Sequence, residues 1–106
     1  MDVEFEGEVV EWRGPAPYWF LRVPAEETED IKLAAKGLEY WGQVPVTVCI
    51  HGTVFTTALF PKDGCYLVPL TVAARREAGI DVETDRVLRV GLDVGLRSRR
   101  TPGGGC

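Results

Sequence analysis

At the start of the chain apolar and acidic residues alternate: Val3 and Phe5 fall on one side, Asp2, Glu4, Glu6 and Glu8 on the other. A period of two is the mark of a strand with one buried face. At Val9-Val10 the apolar phase slips by one, because Val10 and Trp12 continue on the carboxylate face. A bulge or a bend at a barrel corner produces such a slip, and Gly7 eases it. Tyr18 to Val23 is a second strand of high β-propensity, ended by Pro24. Ala25 to Lys36 then reads as a helix, with Glu26, Glu27 and Glu29 early, Lys32 and Lys36 late, and Gly37 placed to cap it. After a loop holding Tyr40 and Trp41 comes the clearest strand. Val44, Val46, Val48 and Ile50 share one face; Pro45, Thr47, Cys49 and His51 share the other. Pro45 assigns this strand to an edge or a strand start. Gly52 reverses the chain into Thr53 to Phe60, and Pro61-Lys62-Asp63-Gly64 turns it into Cys65-Tyr66-Leu67-Val68-Pro69. A helix of one to two turns ends at Gly79, and the acidic turn Asp81 to Asp85 launches a last strand to Val94.

The order is strand–strand–helix–strand, stated twice. Tyr18 to Pro24 before one helix is echoed by Cys65 to Pro69 before the other. Either half is too small to bury much surface alone. The expected solution is a mainly β fold in which two ββαβ halves interleave about a pseudo-twofold axis and close a small six-stranded barrel. That barrel is expected to occupy residues 1–95. Residues 96–106, rich in arginine and glycine and without apolar period, are expected to be a disordered tail.

Two resemblances sharpen this reading. Tyr66-Leu67-Val68-Pro69, the helix through Ala78-Gly79-Ile80, and Thr84-Asp85-Arg86-Val87 together resemble the swapped-hairpin element of AbrB/MazE-type barrels. Those usually carry Gly-Asp where this chain has Thr84-Asp85. More closely, residues 3–94 resemble a bacterial family of small barrels classed only as a domain of unknown function (numbered nineteen-oh-five), often found before a YdeI/OmpD-associated segment. The matching pieces are Trp41-Gly42, Val46 to Gly52, Thr57 to Pro61, Gly64 with Tyr66 to Pro69, and Arg75 to Ile80. The resemblance implies a double-split barrel, here as a stand-alone version, and no particular reaction.

Charge narrows the partners. The formal net charge is −4, and residues 1–30 hold nine carboxylates against Arg13 and Arg22. An acidic body repels polyphosphate, so nucleic acid is disfavoured as a partner; Arg97, Arg99 and Arg100 are the exception. No apolar run is long enough to cross a bilayer, and the acidic start is unlike a signal peptide. Cys49, Cys65 and Cys106 are an odd number without C-x-x-C spacing, which suggests neither a disulfide framework nor a zinc site. A cytoplasmic monomer or weak homodimer, without cofactor or metal, is the expectation.

The aromatic residues are the richest signal. Trp12, Trp19 and Trp41 each lie in or beside a loop or strand end, and large apolar surface at a barrel mouth is how small-molecule sites are commonly built. With His51, Thr57, Tyr66 and Arg75 they form the candidate ligand-binding set, for a small molecule or a partner protein. His51 is the sole histidine and the natural acid–base candidate, with Cys49 two residues away on the same strand face; an exposed strand-end residue is the plainer reading. No catalytic residue is assigned; were the protein an enzyme, His51 and Arg75 would be the candidates. Were it an AbrB-type DNA-binding regulator, Arg75, Arg76, Arg86, Arg89 and the cluster from Arg97 to Arg100 would have to build the positive face. The row Glu4, Glu6 and Glu8 reads as an edge-strand guard, and Gly103-Gly104-Gly105-Cys106 as a linker remnant.

Overall fold

A computed structural model describes residues 2–13, 17–37 and 43–94. Eight elements follow the chain: β1 (Asp2–Arg13), β2 (Pro17–Arg22), α1 (Ala25–Ala34), β3 (Val44–Ile50), β4 (Thr53–Lys62), β5 (Cys65–Pro69), α2 (Val72–Ala78) and β6 (Val87–Val94). The six strands form a closed barrel in the order β1-β2-β5-β4-β3-β6, antiparallel at every pairing. The fold is mainly β with two short helices, as the periodicity predicts.

Exchanging β1, β2 and β3 for β4, β5 and β6 maps this strand order onto itself. The register shows the same exchange. The amide of Val23 donates to the carbonyl of Tyr66, and the amide of Leu70 to that of Trp19, each at 2.9 Å. Trp19 is therefore the counterpart of Tyr66, and Val23 of Leu70. Because β3 lies between β4 and β6, each half completes its sheet only on the other.

The interior is filled by one contiguous core. β1 supplies Phe5 and Val9, β3 its valine stripe with Ile50, and β6 Leu88, Val90 and Leu92. Ile31 and Ala35 from the first helical segment and Ala78 from α2 join the same cluster. Thr28, 1% exposed on α1, donates from Oγ1 to the Val23 carbonyl (3.2 Å) and accepts from the Tyr66 amide (3.3 Å). A buried hydroxyl is tolerated because both of its roles are filled. Thr71 caps α2 by accepting the Ala74 amide at 3.1 Å, and Gly79 ends it in the left-handed region.

One expectation is corrected, and two open alternatives are decided. No bulge occurs at Val9-Val10, since neither register of β1 skips a residue; the strand passes from β6 to β2 at Glu8, a corner of the barrel. Closure also removes every edge. The row Glu4, Glu6 and Glu8 therefore guards none: Glu4 pairs with Arg89 (3.2 Å) and Glu8 with Arg22 (3.6 Å) across strands. Pro45 sits at a strand start, ahead of the β6 pairing that begins at Val46.

Candidate functional site

Pairing decides which side chains share the outer wall. Val10 and Trp12 of β1 stand opposite Phe20 and Tyr18 of β2; Phe20 stands opposite Pro69 of β5, and Leu67 of β5 opposite Phe60 of β4. Residues directly opposite one another project from the same face. Four adjacent strands thus carry an apolar outer surface, where a small barrel ordinarily meets water. Its rings touch. Trp12 and Phe20 lie 6.4 Å apart between centroids, and Phe20 and Phe60 6.1 Å apart, edge to face. Lys62 places its ammonium 3.3 Å from the centre of the Trp12 ring, a cation–π contact. By register Trp12 and Lys62 are counterparts in the two halves, and they meet across the pseudo-twofold.

Three depressions of about 450, 520 and 530 Å³ indent this surface, and Phe20 borders all of them. The second is a groove between the aromatic wall and the start of α2, with Phe20, Phe60 and Pro69 along it and Arg75 beside Leu70 and Val72. Arg75 is half-buried and donates from Nε to the Leu70 carbonyl at 3.2 Å. It has no carboxylate partner among the described residues.

The residues singled out from sequence separate into different places. Trp12, 45% exposed, stands on the outer wall, and Trp19 lies against the core while also lining the groove with Arg75. The aromatic cluster therefore covers the outside of the barrel; the interior behind it is packed mainly with aliphatic side chains. Tyr66 is buried in that core at 4% exposure. Thr57 is half-buried on β4 opposite Val46, away from the wall. His51 occupies the β3–β4 turn with φ 51° and pairs its Nδ1 with the Ala78 carbonyl at 3.0 Å. A carbonyl only accepts, so Nδ1 carries the proton in this bond. Cys49 is buried, 1% exposed and already engaged, so no facing Cys49–His51 pair forms. Trp41 lies outside the described residues, as does the tail.

Among the described residues no group of histidine, cysteine and carboxylate side chains could hold a metal ion, and no helix is long and apolar enough to cross a membrane. Arg22 and Arg89, two cations of the strand surface, are occupied by Glu8 and Glu4.

The sequence model of a domain of unknown function, DUF1905, matches residues 5–90. The chain belongs to that family. No curated protein matches it. In this DUF1905 barrel the residues that periodicity alone did not single out are Phe20, Phe60, Leu67 and Lys62. Their signal was present. Tyr18-Trp19-Phe20-Leu21 and Tyr66-Leu67-Val68 are apolar on both faces, although a small barrel needs only one buried face per strand.

Proposed function

We propose that this DUF1905 domain is a non-catalytic binding module that holds an apolar ligand, a small molecule or a segment of a partner protein, against the outer wall centred on Phe20. One observation carries the reading: the three depressions converge on a single partly exposed aromatic cluster on the outer wall. Depressions of this size suit a compact organic ligand, and contiguous exposed apolar surface is a mark of binding sites. The barrel closes within one chain, which supports a monomeric module.

The other two readings have less under them. A DNA-binding regulator needs a free basic face, whereas of its described candidates Arg89 is paired with Glu4 and Arg75 borders an apolar groove, which leaves Arg76 and Arg86 on an acidic chain. An enzyme using His51 needs a substrate site around that ring, whereas His51 borders none of the three depressions.

Nile red, an uncharged dye that brightens in apolar surroundings, tests the proposal. The intact chain should enhance and blue-shift its emission. Phe20→Ser should remove most of that response, while Leu33→Ser on α1, 77% exposed and remote from the wall in sequence and element, should keep it. Equal responses from the intact chain and Phe20→Ser, both verified as folded by amide dispersion, would refute the reading.

A further inference from the structure

Among the described residues that line the groove beside α2, Arg75 alone is charged, as Lys62 is in the neighbouring depression, where its ammonium already sits on the Trp12 ring. The guanidinium is held, not loose. It is half-buried, and its Nε is committed to the Leu70 carbonyl at 3.2 Å. That bond leaves the terminal nitrogens of a planar fork for another acceptor, and no carboxylate among the described residues takes them. A guanidinium prefers a planar anion that it can meet with two parallel hydrogen bonds. We infer that this groove is a site for an amphipathic carboxylate, its aromatic or aliphatic body on Phe20, Phe60 and Pro69 and its carboxylate on Arg75.

The charge balance selects this class. A single cation in an apolar groove compensates one negative charge, and the formal net charge of −4 opposes polyanions. A purely apolar ligand would leave the Arg75 fork without its second partner, at a cost in desolvation. The groove, about 520 Å³, has room for a bicyclic ring system with its acid group. The inference rests on the Phe20 wall being a binding surface and adds the chemistry of the ligand's head group.

The test compares 2-naphthoate with its uncharged counterpart 2-naphthalenemethanol, titrated into the ¹⁵N-labelled chain while the amides of Phe20, Leu70 and Val72 are followed. The carboxylate should shift these amides at about tenfold lower concentration than the alcohol. Arg75→Gln should abolish that preference while leaving the alcohol's affinity unchanged, which also shows that the groove is intact. Arg75→Lys should restore part of it, having the charge without the fork. Equal binding of both probes to the intact chain, or a preference that survives Arg75→Gln, overturns the inference and leaves the Phe20 wall standing. If neither probe moves the groove amides, both readings fall.

Discussion

Gly7 is the residue on which the β1 corner depends. A Cβ built there would stand 2.5 Å from Leu21 Cδ2, 2.8 Å from its Cγ and 2.9 Å from the Arg22 carbonyl oxygen. Leu21 has no exposure, and its partners in the ladders on either side are Val9 and Val68, so it has little freedom to retreat. Gly7→Ala should therefore cost about 1–3 kcal/mol through overpacking, read as a lowered urea midpoint at unchanged slope. Wild-type stability in the alanine variant would mean that β2 yields at this corner. From sequence Gly7 was legible as a place where a strand bends. That its missing side chain makes room for Leu21 was not, because the two meet only once β1 and β2 pair.

At the scale of elements, the β3–β4 hairpin does more than reverse the chain. His51 and Gly52 both adopt positive φ, 51° and 78°, the pattern of a two-residue type I′ turn; Asp63 and Gly64 repeat it at 52° and 81°. From the first of these hairpins His51 reaches the Ala78 carbonyl, and Thr53 donates from Oγ1 to the Glu77 carbonyl at 3.2 Å. The last turn of a helix leaves carbonyls without intrahelical partners, and here side chains of a neighbouring hairpin supply them. His51→Asn tolerates the left-handed backbone but is too short to keep the bond. It should lose about 1 kcal/mol and speed amide exchange at the end of α2, with Nile red binding unchanged. Loss of dye binding at full stability would instead return His51 to the functional site.

The whole molecule is built so that neither half is complete. β3 of the first half fills the gap between β4 and β6, and β5 of the second lies against β2. Residues 1–52 expressed alone should give a collapsed, poorly dispersed amide spectrum, and so should residues 53–106. Mixing them should restore the dispersed spectrum of the intact barrel, because the interleaved pairings can form between chains. A well-dispersed spectrum from either fragment alone would contradict the interdependence of the halves.

Order, type and repetition of elements could be read from local pattern, because a strand's two-residue period and a helix's caps are properties of neighbours in the chain. Val44 to Ile50 announced its buried face, and Gly79 its helix end, before any contact was known. Faces that are apolar on both sides are different. Phe20 could have been core or surface, and only its register against Val10 and Pro69 puts it outside, beside Phe60. Arg75 was visible as a cation on a short helix; its place at the end of an apolar groove follows from how α2 packs against the barrel. A site of this kind joins β1, β2, β4, β5 and α2, and no local period encodes which residues of separate elements will meet.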